Sequence, residues 1–185
     1  MAQGQQARGR AVSAARGAPA FRVVLVEPEI PNNTGNIGRT CVATGCALHL
    51  VRPLGFDTSE KACRRAGLDY WPRLDLTVHE SLAAFLSPPP ARMWLFTAKS
   101  PRSFFDAEYR LGDALVFGGE TKGLPASLLG AHPECTVAMP MVAGERSLNV
   151  ATAACAAVYE GLRQLIARGD VRLDGNGRLL PAVGP

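Results

Sequence analysis

Short apolar runs alternate with polar, glycine-bearing turns from Phe21 onward. Val23–Val26, Ala47–Val51, Leu74–Val78, Met93–Thr97, Ala114–Phe117 and Thr136–Met139 are rich in Val, Leu, Phe or Met. Runs of this length, bounded by turn residues, predict buried strands. Helical spacing between them predicts helices over Ile37–Thr44, Ser59–Arg65, Glu80–Leu86, Pro125–Leu129 and Ser147–Arg168. Gly45 and Gly67 suit C-caps, Ser59 suits an N-cap, and Pro88–Pro90 stops the third helix. The last helix carries Leu148, Ala151, Cys155, Val158, Leu162, Leu165 and Ile166 on one broad apolar face. Strand and helix in alternation predict an α/β fold, with a mostly parallel sheet flanked by helices on both faces. The expected organisation is a tail over 1–20, one domain over 21–168 and a polar, Gly/Pro-rich end over 169–185.

Composition changes this picture little. The 185 residues are 47% hydrophobic and 19% charged, which suits one domain with a substantial core. The net charge of +4 equals the four arginines of residues 1–22 (Arg8, Arg10, Arg16, Arg22), a stretch without acids. The remaining basic and acidic side chains cancel, so the basic pI belongs to the tail and is weak support for a nucleic-acid partner. No apolar stretch is long enough for a membrane span, and the amino-terminal segment has no hydrophobic signal core. Cys41, Cys46, Cys63, Cys135 and Cys155 form no CxxC pair, so reduced thiols in a cytoplasmic protein are expected. His49, His79 and His132 lack metal-ligand spacing, and no metal is expected.

The candidate chemistry lies in three segments, each following a strand-like run. They are Pro31-Asn32-Asn33-Thr34-Gly35-Asn36-Ile37-Gly38-Arg39, Phe117-Gly118-Gly119-Glu120-Thr121-Lys122-Gly123-Leu124-Pro125, and Met139-Pro140-Met141-Val142 through Arg146-Ser147-Leu148-Asn149. Loops at the carboxyl ends of strands build the ligand sites of α/β proteins, so the three together predict one composite site. Arg39, read on the first turn of a helix, suits a phosphate or carboxylate; an Asx-rich cap with a solvated Arg is the bland alternative. Glu120 and Lys122 pair with each other or face substrate. Ser147 and Asn149 either cap the last helix or hold a polar ligand. Neither GxxxxGK[ST] nor GxGxxG is present, which speaks against ATP hydrolysis and NAD binding.

In order, spacing and residue type these motifs resemble the SPOUT superfamily of RNA methyltransferases, in its 2′-O-ribose (TrmH-like) branch. Val26-Glu27-Pro28-Glu29-Ile30-Pro31 with Asn33-Thr34-Gly35-Asn36-Ile37 and Arg39 matches the first motif. Gly118 with Glu120-Thr121-Lys122-Gly123-Leu124-Pro125 matches the second, and Pro140-Met141-Val142 through Asn149, then Val158-Tyr159-Glu160, matches the third. Arg64-Arg65-Ala66-Gly67-Leu68-Asp69-Tyr70 also agrees, and the resemblance spans about residues 21–166. Asn32, Gly38 and Ala143-Gly144-Glu145 depart from the pattern.

The resemblance implies a deep trefoil knot near the carboxyl end, S-adenosylmethionine as cofactor, and a homodimer whose site is completed across the interface. By matched position, Phe96, Thr97, Gly118, Gly123, Met139, Ser147, Leu148 and Asn149 are cofactor-binding and Arg39 is catalytic. Arg64, Arg65 and Tyr159 are assigned to RNA. The implied reaction is 2′-O-methylation of the wobble nucleotide, cytidine or modified uridine, in the tRNA anticodon loop. Another tRNA position, ribosomal RNA, or a non-catalytic RNA-binding homologue are the alternatives. A guanidinium has a pKa above about 12, so Arg39 fits a phosphate and oxyanion clamp better than a general base. Lys61, Arg64 and Arg65 on one side of a short helix would meet phosphates, and Tyr159 or Tyr70 would stack on splayed bases.

Overall fold

The computed structural model describes residues 18–59 and 67–180. Six strands form one sheet: β1 (Arg22–Val26), β2 (Ala47–Val51), β3 (Leu76–His79), β4 (Met93–Phe96), β5 (Ala114–Gly118) and β6 (Thr136–Val137). Their order is β3-β2-β1-β5-β4-β6, and every pairing is parallel. The helices are α1 (Pro31–Thr44), α2 (Leu82–Phe85), α3 (Ala126–Ala131) and α4 (Val150–Arg168). The expected α/β class and the six strands are present. The helix expected over Ser59–Arg65 falls mostly outside the described residues.

Alternation along each strand feeds two cores. Val23, Leu25, Leu48, Leu50, Leu115 and Phe117 join the cluster that includes Ile37 of α1 and Val158 and Leu162 of α4. Val24, Val26, Val51, Leu95 and Val116 face the other way, onto Phe85 of α2 and Leu128 of α3. A strand buried on both faces has no polar side, which is why these runs read as continuous apolar sequence. Gly161 lets α4 approach β1, because a Cβ there would stand 2.6 Å from the buried Phe21 ring.

Element ends moved where tertiary contacts set them. α1 starts at Pro31, not Ile37, so most of the segment read as the first loop is helix. Asn, Thr and Gly have low helix propensity, but Pro at the first position is preorganised, and the helix start is held from outside, as described below. α1 ends at Gly45, left-handed at φ 70°, as the sequence predicts. β3 begins at Leu76, because the Leu74 N–H closes a 3-10 turn on the Trp71 carbonyl at 3.0 Å. α4 begins at Val150, with Asn149 rather than Ser147 as its cap. Beyond Gly169 the chain keeps packing: Val171 is buried in the core and Leu173 bridges Leu179.

Candidate active site

Strand order decides which loops meet. β5, β4 and β6 are neighbours, so the segments leaving their carboxyl ends lie side by side, and β1 next to β5 brings Glu27–Ile30 to the same edge. The chain runs outward from β1 through β2 and β3 and then returns to the other side, so the switch in strand order falls at β1 and β5. Ligands of open α/β sheets bind at such a point. Glu27 there is left-handed, at φ 52°, with its N–H on the Val51 carbonyl at 2.9 Å. Its own carbonyl sits so close that a Cβ on Gly119 would stand 2.5 Å away, which is why the neighbouring loop carries glycine.

Glu120 locks the three motifs together. Its carboxylate accepts from the Glu29 N–H at 2.8 Å, the Ile30 N–H at 3.3 Å and the Asn33 Nδ2 at 2.8 Å. It therefore holds, from another loop, the two residues that lead into α1 and the Asn33 side chain of its first turn. Asn33, 7% exposed, accepts through Oδ1 from Asn149 Nδ2 at 2.9 Å. Asn149 Oδ1 in turn accepts from the Ala151 and Thr152 N–H groups at 2.9 and 3.2 Å, capping α4. Glu29 returns the bond, its carboxylate accepting from the Thr121 N–H at 3.2 Å and Oγ1 at 2.6 Å. Burial pushes the Glu120 carboxyl up, but the Asn33 amide and the Glu29 and Ile30 N–H groups outweigh it and hold the group below its usual 4.5. The resemblance assigns no role to Asn33 or to Glu120, the latter expected to pair with Lys122 or face substrate. Their signal was their place inside the motifs, and Glu120 does not pair with Lys122.

The residues matched to the cofactor collect at this edge. Phe96 ends β4 and stacks on Phe117 at 4.4 Å. Thr97 follows, its N–H on the Val137 carbonyl at 2.9 Å. Gly118 ends β5, and Gly123, at φ 67°, closes the next turn with its N–H on the Gly119 carbonyl at 2.8 Å. Met139 stands just past β6, partly buried on the core. Ser147 and Leu148 lie in the exposed approach to α4. A Cβ on Gly118 would stand 2.0 Å from the Gly123 carbonyl carbon. A side chain there would therefore strike its own loop before reaching any ligand.

Arg39 is not with them. It lies in the third turn of α1, not the first, and α1 runs from the carboxyl edge toward the other edge of the sheet. Eight residues at 1.5 Å each carry it about 12 Å from Pro31. Its guanidinium is 63% exposed, 4.4 Å from the Tyr70 ring centroid and 3.9 Å from Asp69 Oδ1. Tyr159, 55% exposed, is likewise well along α4 from Asn149. Tyr70 is 2% exposed and its hydroxyl donates to the Gly35 carbonyl, so it is a core residue and not a stacking platform. Arg64 and Arg65 lie outside the described residues, as does Lys61.

The edge suits a ligand with an apolar body and a purine. Phe96, Met139 and Leu148, the last 46% exposed, offer an apolar side. Among the described residues, Met139–Leu148 forms a single backbone hydrogen bond, Glu145 N–H to the Val142 carbonyl at 3.3 Å. The other donors and acceptors of that exposed loop are free to read a base edge. Such a donor set fits S-adenosylmethionine.

Known proteins share this architecture. The chain is 46% identical over 156 residues to the tRNA (cytidine(34)-2′-O)-methyltransferase of Escherichia coli (strain K12), covering 83% of this chain and 99% of that protein. A protein of the same name from Burkholderia ambifaria is 47% identical over 148 residues, 78% of this chain and 95% of the relative. A solved structure described as giving insight into the 2′-OH methylation of C/U34 on tRNA superposes with a TM-score of 0.74 at 48% identity, over 80% of this chain and 97% of that one. The SpoU methyltransferase AviRb of Streptomyces viridochromogenes, solved in complex with AdoMet, gives a TM-score of 0.71 at 25% identity, covering 80% of this chain and 59% of its own. The model of the SpoU rRNA Methylase family matches residues 20–159, the stretch that carries all three motifs and the joint between them, and the chain belongs to that family.

Proposed function

We propose that this protein methylates the ribose 2′-hydroxyl of the wobble nucleotide of tRNA, cytidine or modified uridine, with S-adenosylmethionine as donor. One hydrogen-bonded joint carries this reading: Asn33, Glu120 and Asn149 tie the three motifs to a single sheet edge. The relatives' names support the substrate, and the AdoMet complex of AviRb supports the donor.

In this reading Phe96, Thr97, Gly118, Gly123, Met139, Ser147, Leu148 and Asn149 hold the cofactor. S-adenosylmethionine supplies a methyl group already activated on a positively charged sulfur. The chain's own task is alignment and charge. Orientation of reacting groups is worth roughly 7–11 kcal/mol of barrier. Phe96, Met139 and Leu148 keep water from the apolar side of the site. Arg39 clamps the phosphate next to the target ribose and stabilises the negative charge that grows on the 2′-oxygen as its proton leaves to solvent.

Arg39 lies along α1 from the loops of its own chain, which supports a homodimer in which one copy's Arg39 serves the other's donor loops. Arg64, Arg65 and Tyr159 take part in holding the anticodon loop. The family's carboxyl-terminal knot belongs to the same reading. The Ser103–Ala138 bridge supports it by holding the segment after β4 against the strand that leads into the third loop. A cytoplasmic location follows from the substrate.

The test is incubation with tRNA and S-adenosylmethionine, digestion, and nucleoside mass spectrometry. A 2′-O-methylated pyrimidine at the wobble position is expected. Absence of product on every tRNA with a wobble pyrimidine refutes the assignment. Product on ribosomal RNA instead supports the second reading, which the family's own description favours.

A further inference from the structure

Each of the three loops at the site carries one exposed, uncompensated cation. Lys99 follows β4, Lys122 follows β5, and Arg146 stands in the loop after β6. Among the described residues, none of the three side chains forms an ion pair. By contrast, Arg39, Arg52, Arg92, Arg110, Arg163 and Arg168 each face a carboxylate. The acids from the neighbouring segments do not compensate the three. Glu120 is taken up by backbone N–H groups and Asn33, and Glu29 by Thr121. Glu145, next to Arg146, is exposed and unpaired with it.

Beside this rim stands an exposed ring. Phe105 is 59% exposed and rests on the buried Phe104 at 4.1 Å. Its backbone is pinned: the Phe105 N–H donates to Ser103 Oγ at 3.2 Å, and the Phe104 N–H to the Ala138 carbonyl at 2.9 Å. The Ala138 N–H completes the ladder on the Arg102 carbonyl at 2.8 Å. Ala138 directly precedes Met139, so the ring borders the donor loops. A solitary exposed Phe on a monomer is unremarkable. One with a pinned backbone, on the same sheet edge as unpaired cations from the segments that follow three adjacent strands, has the make-up of a single-strand nucleic-acid platform.

We infer that Lys99, Lys122, Arg146 and Phe105 form a track for single-stranded RNA beside the donor loops, with the cations on phosphates and the Phe105 ring under an unpaired base. The inference rests on the proposed RNA-methylating function and gives it surface residues to which the resemblance assigns no RNA-binding role. The ring discriminates little between bases, because every base has a π-face, so the track fixes the path of the strand and not its sequence.

The test measures tRNA binding by full-length protein across a salt series, with S-adenosylmethionine affinity and sedimentation as controls. The triple variant K99Q/K122Q/R146Q is expected to reduce the slope of log affinity against log salt by about 2, at roughly 0.7 per phosphate. F105A is expected to weaken binding about tenfold with the slope unchanged, and F105Y to restore it. Cofactor affinity and oligomeric state stay at wild-type values in all three. Wild-type slope and affinity in the triple variant and in F105A overturn the track. A shift of F105A to a smaller species, with its RNA affinity kept, overturns it too and makes the ring an intersubunit contact. Failure of the wild-type protein to bind any RNA is a different result, and removes the proposed function itself.

Discussion

Replacing Glu120 by Ala removes the group that ties the second motif to the first and, through Asn33, to Asn149 of the third. The carboxylate accepts three hydrogen bonds, two of them from the backbone N–H groups just before α1. Hydrogen bonds to a buried charge are worth about 1.5–3 kcal/mol each, but Glu120 is only part-buried, and solvent screening lowers each to roughly 0.5–1 kcal/mol. The sum for Glu120→Ala is about 2 kcal/mol. Glu120→Gln keeps one carbonyl acceptor and should cost about half of that. For a chain of this size about 2 kcal/mol lowers Tm by roughly 4–8 °C. Urea unfolding followed by circular dichroism measures the stability, and calorimetry with S-adenosylmethionine measures the site. The Ala variant should lose both stability and cofactor affinity, because Asn33 and Asn149 lose their anchor. The folded carboxyl titrates below its ordinary value, so the contribution is full above about pH 4.5 and disappears as pH falls through the lowered value. The gap between wild type and E120A should therefore close in acid. An Ala variant within about 0.5 kcal/mol of wild type at pH 7, with unchanged cofactor affinity, would show that the joint holds nothing.

Arg39→Ala should cut methyl transfer by about 10²–10³-fold with cofactor affinity and Tm kept, since the side chain is largely exposed; equal loss of cofactor binding in calorimetry would make Arg39 structural. Gly118→Ala should destabilise the protein by more than about 2 kcal/mol, because the new Cβ meets the Gly123–Leu124 backbone; a wild-type Tm would contradict that placement. His49 and His79 share a proton-mediated contact at 2.9 Å, and burial, then His79 and Arg22, lower His49 to about 4. The unfolded chain binds that proton near pH 6.5, so stability holds above 6.5 and is lost as pH falls toward 4, by up to roughly 3 kcal/mol. Acid-unfolding curves of His49→Gln should be flatter over that window, and an unchanged curve would assign the acid sensitivity elsewhere.

The sequence by itself determined the strands, because a run buried on both faces is apolar whatever surrounds it, as in Val23–Val26 and Ala114–Phe117. It determined the stop at Gly45, because a left-handed residue favours glycine on local grounds. It also carried the three motifs whose convergence the sheet order then produced. The start of α1 was decided by tertiary structure: Asn33-Thr34-Gly35-Asn36 is a poor helix locally, and the carboxylate that holds the residues leading into it, Glu120, comes from about 90 residues away. The same holds for Tyr70, whose hydroxyl finds the Gly35 carbonyl only after the chain has folded. Arg39 shows the limit most plainly. Its place in the motif was legible, but its distance from the loops depended on where the helix began. Local propensity reaches a few residues along the chain, while hydrogen bonds between loops join residues that are neighbours only in space.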